Sequence, residues 1–158
     1  MTEIVKDIYM TYKTLIQPSL HFSLELDESV FIPVNIDHFR FTQVISNFLN
    51  NANKFTKEGT ITLGCKVDNE YQEVCVYVKD TGKGIDNKEL MMIFDRFYKT
   101  DEFEQGSGLG LSICKVIIER LAGRIEVHSE VGKGSCFAVV LSLANTINAD
   151  LKEIDDEE

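Results

Sequence analysis

The sequence predicts an α+β domain: a two-layer α/β sandwich with a mixed, mainly antiparallel sheet of about five strands and three main helices on one face. Apolar residues recur at helical spacing in three stretches, at residues 3–16, at 37–55 and in a segment that ends at Ala122. They alternate with a period of two in several shorter stretches bounded by turn residues. Short polar turns join most of these strands, which is typical of antiparallel hairpins.

The composition is that of a globular protein with an acidic surface. The chain has 158 residues, of which 26 are acidic and 16 basic, so its net charge is −10. This charge argues against a surface for nucleic acid or for an anionic membrane. We expect no signal peptide and no membrane span, since no apolar run approaches roughly 20 residues. The four cysteines are expected to be reduced core thiols, with a disulfide between Cys65 and Cys75 as the alternative.

The chain begins with a helix and two strands. Residues 3–16 have a helical apolar pattern that ends before Pro18, and this stripe either packs on the domain's own sheet or ends a longer helix. Residues 20–26 alternate strictly and predict the first strand. A second short strand is expected around residues 30–34, after a polar turn.

The long helix at residues 37–55 has an apolar and a polar face. Asp37 is a plausible N-cap. The expected buried face consists of Phe41, Val44, Ile45, Phe48, Leu49 and Ala52, and the polar stripe consists of Arg40, Gln43, Asn47, Asn51 and Lys54. Asparagine is a poor helix former, so we interpret part of the stripe as functional, the alternative being a solvated face. Asn51 offers an amide oxygen suited to Mg²⁺, and Lys54 offers a positive charge for a phosphate.

A second candidate site follows the strand at residues 73–80. Alternation places Asp80 on the same inward face as the valines of that strand. A buried carboxylate needs hydrogen-bond donors, and Gly82 and Gly84 permit a tight turn with close approach of a ligand. The segment predicts the floor of a small-molecule pocket, the alternative being a polar turn with a solvated aspartate.

The remaining segments complete the domain. Residues 60–67 and 73–80 form a predicted hairpin, and 87–97 a short amphipathic helix. Residues 98–106 have no core pattern and are expected to be mobile. The glycine-rich segment 106–111 opens a mostly buried helix, and its backbone N–H groups could hold phosphate oxygens.

The last strands are predicted at residues 124–129 and 135–143, joined by a turn. We expect the domain to cover residues 1–145. The acidic tail at 146–158 is expected to be disordered.

Five segments in order resemble the signature of the ATP-binding catalytic domain of sensor histidine kinases. They are NFLNNANKFT at 47–56, DTGKGI at 80–85, IFDRFY at 93–98, GSGLGLS at 106–112 and GKGSCF at 132–137. The superfamily also contains gyrase B, the heat-shock chaperone ATPases and the mismatch-repair ATPases, and its fold is the Bergerat ATP-binding fold. The match covers roughly residues 20–143, and five boxes in order are far more specific than one glycine motif.

The resemblance implies binding of ATP with Mg²⁺. Asp80 would accept a hydrogen bond from the adenine amino group, Asn51 would coordinate Mg²⁺ with Asn47 beside it, and Lys54 would contact phosphate; the last three form the implied catalytic set. The other implied nucleotide contacts are Gly82, Gly84, Ile85, Gly106, Ser107, Gly108, Leu109, Gly110, Leu111 and Ser135.

The resemblance also implies a lid. Its hinge would lie at residues 106–110, and Phe94 and Phe97 would anchor it. Lys99 stands where an arginine is common, so a phosphate contact there would be monodentate.

An acceptor histidine is not expected in this chain. His21, His38 and His128 are followed by Phe, Phe and Ser rather than by the acidic residue of the family's acceptor. The resemblance therefore implies a cytoplasmic, monomeric catalytic domain of a two-component histidine kinase, which would transfer the γ-phosphate to a dimerisation or histidine phosphotransfer domain. A response regulator receiver domain would act downstream. The alternatives are an ATP hydrolase of the same fold and an anti-sigma-type regulatory kinase or nucleotide-binding switch module.

Overall fold

The computed structural model describes residues 1–27, 36–99 and 108–143. Its elements, in chain order, are α1 (Thr2–Tyr12), β1 (Leu20–Leu26), α2 (His38–Phe55), β2 (Gly59–Asp68), β3 (Glu73–Asp80), α3 (Asn87–Leu90), α4 (Gly110–Arg120), β4 (Arg124–Glu130) and β5 (Gly134–Ser142). The strands form one sheet in the order β1-β2-β3-β5-β4. β1 and β2 are parallel, and the other neighbouring strands are antiparallel. The predicted α+β fold with a mixed, mainly antiparallel sheet is confirmed.

A single core lies between the sheet and the helices α1, α2 and α4. Val5, Phe41 and Ile118, one from each helix, are fully buried in the same cluster as the inward side chains of the sheet. The rings of Phe48 in α2 and Phe137 in β5 lie 5.3 Å apart at 40°. Aromatic pairs in tilted contact stabilise a core beyond the area that they bury. The three main helices therefore cover one face, as the sequence predicts.

α2 is the central helix, and its beginning is explained by one side chain. The Asp37 carboxylate oxygen Oδ1 accepts a hydrogen bond from the Arg40 N–H at 2.9 Å, so it satisfies a donor that has no partner within the helix. The six apolar residues of the predicted face are the six buried residues of this helix. Local periodicity alone therefore placed α2 on the sheet correctly.

Two of the α2 asparagines have structural roles that the sequence did not reveal. The Tyr12 hydroxyl, at the end of α1, lies 3.2 Å from Asn50 Oδ1 and 3.2 Å from the Ser46 carbonyl oxygen. The Gln17 N–H donates to Asn53 Oδ1 at 3.0 Å. These contacts attach the segment after α1 to α2. α1 therefore packs on its own domain, as its apolar stripe predicts.

Two predictions about helices were wrong. The amphipathic helix expected at 87–97 is a single turn, α3, followed by further turns. Its apolar stripe is buried only in part, since Ile93 is 7% exposed whereas the Met91 side chain is 85% exposed, and so short a segment gains little stability as a helix. α4 was expected to be mostly buried, yet Ile113 and Val116 are more than 40% exposed. Only its face toward α2 and the sheet is covered.

The possible disulfide between Cys65 and Cys75 is excluded, and both thiols are free. In the β2–β3 register, Cys65 pairs with Val76 while Cys75 pairs with Lys66. Successive residues of a strand point to opposite faces, so the two side chains leave the sheet in opposite directions. Burial raises the pKa of Cys65 to about 11, which keeps it a neutral core thiol.

Several predictions lie outside the described residues. They are the second strand around residues 30–34, the greater part of the segment at 98–106 with Gly106 and Ser107, and the acidic tail at 146–158. Within the described part of the chain, no helix is both long enough and apolar enough to cross a membrane.

Candidate functional site

A cavity of about 290 Å³ opens between α2, the end of β3 and the beginning of α4. This volume is close to the lower end of the usual range for small-molecule pockets, about 300–1,000 Å³. The predicted site residues that line it are Asn47, Asn51, Lys54, Asp80, Gly84, Ile85, Lys99, Gly108, Gly110, Leu111 and Ser135. The fold therefore brings together residues that lie up to 88 positions apart, from α2 to β5.

Four predicted residues of the described chain do not line this cavity. Gly82 lies behind Asp80, and Phe94 packs partly against the core. Phe97 is 72% exposed, with a φ of 66° that a bulky residue rarely adopts. Its N–H donates to the Gly108 carbonyl oxygen at 2.9 Å. The role of Phe94 and Phe97 as lid anchors therefore stays a prediction, as does the contact of Leu109.

Asp80 forms the floor of the cavity. Its side chain is 7% exposed, which confirms the inward orientation that alternation along β3 predicts. Oδ1 accepts a hydrogen bond from the Gly82 N–H at 2.8 Å. Burial raises the pKa of the Asp80 carboxyl, while the N–H groups of Gly82 and Ser135 and the nearby Thr56 hydroxyl oppose this shift. The Thr56 hydroxyl is close enough to favour the charged form of the Asp80 carboxyl. It is not oriented to form a hydrogen bond with any described residue.

Gly82 is required by the close packing behind that carboxylate. A Cβ at this position would lie 2.5 Å from the Phe55 carbonyl oxygen, 2.8 Å from Thr56 Oγ1 and 2.9 Å from Asp80 Oδ1. A side chain at position 82 would therefore displace either the end of α2 or the carboxylate itself. This is the physical reason for a glycine two residues after the aspartate.

A hydroxyl pair ties the glycine turn to the final hairpin. Ser129 Oγ accepts from the Ile85 N–H at 2.8 Å and donates to the Gly134 carbonyl oxygen at 3.0 Å. It also lies 2.8 Å from Ser135 Oγ. Ser135 is 7% exposed, so its hydroxyl is held at the buried end of the cavity beside Asp80.

The polar stripe of α2 forms a wall of the cavity. Asn51 Nδ2 donates to Asn47 Oδ1 at 3.4 Å, one turn away, and both side chains are half-buried. This contact engages the Asn51 nitrogen, so the amide oxygen is the atom that Asn51 offers to a ligand. Lys54 lies one turn further along the same stripe and also lines the cavity.

The cavity has a local excess of positive charge in an acidic chain. Lys54, Lys83 and Lys99 line it, against the carboxylates Asp80 and Glu89. The chain as a whole has a net charge of −10. A cleft with the opposite sign to the rest of the surface concentrates anionic ligands.

Seven lining residues were not predicted from the sequence: Ala52, Phe55, Lys83, Glu89, Ile93, Tyr98 and Phe137. Phe55 follows Lys54 directly, and Lys83 stands between the two glycines of the 80–85 segment. Both residues are adjacent in the sequence to predicted site residues, and this adjacency could have identified them. Tyr98 is the last residue of the 93–98 segment, which was the signal for it, whereas nothing in the local pattern of Glu89 marks a site.

The comparisons with known proteins agree with this geometry. Residues 36–145 match the family described as histidine kinase-, DNA gyrase B-, and HSP90-like ATPase. The sensor protein SrrB of Staphylococcus aureus is 46% identical over 110 residues, which cover 66% of this chain. The match spans only 18% of the length of SrrB.

Solved structures show the same fold. The catalytic domain of histidine kinase ThkA is 29% identical with a TM-score of 0.78, and the match covers 92% of this chain and 95% of that one. Full-length ShkA in complex with AMPPNP is 25% identical with a TM-score of 0.79, covering 88% of this chain and 29% of that one. The chain therefore belongs to the histidine kinase-, DNA gyrase B- and HSP90-like ATPase family, as an ATP-binding domain of the sensor histidine kinase type.

Proposed function

We propose that this domain binds ATP with Mg²⁺ in the cavity and delivers the γ-phosphate to a histidine on a separate domain. The observation that carries the proposal is the arrangement of one cavity. A buried carboxylate, Asp80, lies at one end, and the amide and ammonium groups of Asn51 and Lys54 lie along one wall. The related ShkA was solved in complex with AMPPNP, which supports a nucleotide as the ligand of this domain.

At the buried end, Asp80 would read the base. A carboxylate only accepts hydrogen bonds, so it matches the amino group of adenine and opposes the carbonyl that guanine presents at the same position. The Gly82 N–H holds Oδ1, and burial excludes competing water. Ser135, fixed by Ser129, supplies a hydroxyl beside it.

The residues on the α2 wall fit a magnesium ion that arrives with a nucleotide. Among the described residues, no cluster of three His, Cys, Asp or Glu side chains could hold a metal by itself. Mg²⁺ that keeps waters and phosphate oxygens needs only one or two oxygens from the protein, and the Asn51 amide offers one. When bound, the ion would neutralise charge on the phosphates. The chain's own part is to position Asn51 through its contact with Asn47.

The protein groups in this cavity suit transfer by positioning rather than by acid–base chemistry. Asn47 is an amide and cannot take a proton at neutral pH. Lys54 would orient the phosphates, and their charge would be offset by the lysine excess of the cavity. None of His21, His38 and His128 lines the cavity, so the acceptor would come from another domain. A response regulator would then receive the phosphoryl group.

The test is a phosphotransfer assay with the purified chain, Mg²⁺ and γ-labelled ATP, followed by mass location of the label. The chain alone should acquire no phosphohistidine. Added as a separate fragment, the histidine-bearing dimerisation domain of the same kinase should become labelled on its histidine. Asn51→Ala in this chain should abolish that labelling. Phosphohistidine at residue 21, 38 or 128 would contradict the proposal. Steady hydrolysis of about 1 s⁻¹ by the chain alone would favour an ATP hydrolase.

A further inference from the structure

Two lysines lie against one aromatic ring in the cavity wall. Lys54 Nζ is 5.0 Å and Lys83 Nζ is 4.7 Å from the centre of the Phe55 ring. All three residues line the cavity. Both distances are within the range of cation–π contact, so the ring holds both ammonium groups near the ligand space.

The Lys83 backbone is held on both sides. Its N–H donates to the Phe55 carbonyl oxygen at 3.4 Å, and its own carbonyl oxygen accepts from the Gly132 N–H at 2.7 Å. The side chain therefore starts from a position fixed by α2 and by the final hairpin. Its direction toward the cavity is a property of the fold rather than of a loose surface turn.

Lys83 brings a second positive charge to this ring. The two ammonium nitrogens lie within about 10 Å of each other, because both are within 5.0 Å of the same ring centre. Charges at such a separation repel each other unless salt screens them. Among the described residues no salt bridge involves Lys83, whereas Lys133 pairs with Glu130 at 2.6 Å. An anion in the cavity could therefore serve as the partner of Lys83.

The position of Lys83 selects the part of the ligand that it can reach. Lys83 follows Asp80, the base end of the cavity, by three residues. Lys54 lies one helical turn beyond Asn51, the proposed metal end. In a nucleotide, the α-phosphate stands between the base and the terminal phosphates. Both lysines contact the same Phe55 ring, so their ammonium groups lie at neighbouring points of the cavity wall.

We propose that Lys83 binds the α-phosphate of the nucleotide and so acts as a further binding residue beside Lys54. This inference rests on the proposed function and adds a residue to it. Lys83 then contributes equally to the binding affinity for AMP, ADP and ATP, and it contributes nothing to the affinity for adenosine, which has no phosphate. Lys54, at the other end, contributes to ADP and ATP more than to AMP.

The test compares the affinities of the full chain and its variants for adenosine, AMP, ADP and ATP. We suggest titrations followed by NMR, because this method can measure dissociation constants in the millimolar range. Lys83→Met keeps an unbranched side chain on the Phe55 ring and removes the charge. It should weaken AMP, ADP and ATP binding about 3- to 10-fold, the strength of one partly exposed charged contact. Adenosine binding should not change, and Lys83→Arg should retain most of the affinity.

The matched control is Lys57→Met, because Lys57 is exposed, close to the end of α2 and outside the cavity lining. It changes the net charge equally and should leave all four affinities unchanged. If the original chain binds ATP, two results would overturn the inference. One is an unchanged affinity of Lys83→Met for AMP, and the other is a loss of affinity for adenosine as large as the loss for AMP. If the original chain binds no ATP, the proposed function itself has failed.

Discussion

Gly110, the first residue of α4, lies directly against the Asn47 side chain of α2. A Cβ at position 110 would overlap Asn47 Nδ2 and lie 3.2 Å from both Cγ and Oδ1 of that amide. Asn47 Oδ1 in turn accepts the hydrogen bond from Asn51 Nδ2. The absence of a side chain at position 110 therefore allows the amide pair to stand as it does in the cavity wall.

Gly110→Ala should weaken binding of Mg·ATP. The new methyl group has to push the Asn47 amide aside, and Asn51 loses its partner. The domain should remain folded, because the displaced group is the end of a rotatable side chain. Calorimetric titration should show a loss of affinity of about tenfold, equal to the value of one hydrogen bond to a charged ligand. In an Asn47→Ala background the same substitution should have little further effect, since nothing is left to displace. An additive loss would show that Gly110 acts through something else.

Asn51→Ala should reduce the affinity for Mg·ATP far more than it lowers the melting temperature. The side chain borders the cavity and bonds only to Asn47 among the described residues. Asn53→Ala is the matched control on the same helix. Asn53 binds the Gln17 backbone, so its loss should lower the melting temperature and leave the affinity nearly unchanged. The reverse pattern would assign the structural role to Asn51 and remove it from the metal site.

Asp80→Asn should weaken ATP and ADP binding alike. The new amide can place an N–H group opposite the adenine amino group and leave both without a partner, a loss of about 1–3 kcal/mol. The substituted atom is remote from the γ-phosphate, so the ratio of the affinity for ATP to the affinity for ADP should stay unchanged. The original domain should bind GTP much more weakly than ATP. Comparable affinities for the two would show that Asp80 does not read the base.

The buried Asp80 carboxyl also predicts how stability depends on pH. Burial raises its pKa in the folded domain above the ordinary 3.8. A group with a raised folded pKa binds a proton more readily when folded, so its protonation favours the folded state. The destabilising effect of the charge is fully present above the folded pKa and disappears as the pH falls below 3.8.

Thermal unfolding of the original domain and of Asp80→Asn should therefore be compared between pH 7 and pH 4. The melting temperature of the original domain should rise relative to that of the variant as the pH falls. The variant does not titrate at this position, so the other carboxyl groups cancel in the difference. A difference that stays constant over the whole range would show that the pKa of Asp80 is not raised.

The local features of this protein could be predicted from its sequence. The Asp37 cap and the six buried residues of α2 follow from helical periodicity, because a helix that packs on a sheet buries one face. The inward orientation of Asp80 follows from the period of two in β3. The order of the motifs also indicated the family, since five short segments rarely occur together by chance.

Only the tertiary structure decided which residues meet. The contact of Lys83 with Phe55 joins the turn after β3 to the end of α2, and the pairing of Tyr12 with Asn50, which are 38 positions apart, joins α1 to α2. The exposure of Met91, Ile113 and Val116 depends on what the other elements leave uncovered. None of these contacts has a period along the chain, because each is set by the packing of segments that are distant in sequence. Periodicity determined the faces of the elements in this protein, and the packing of those faces decided which polar groups surround the cavity.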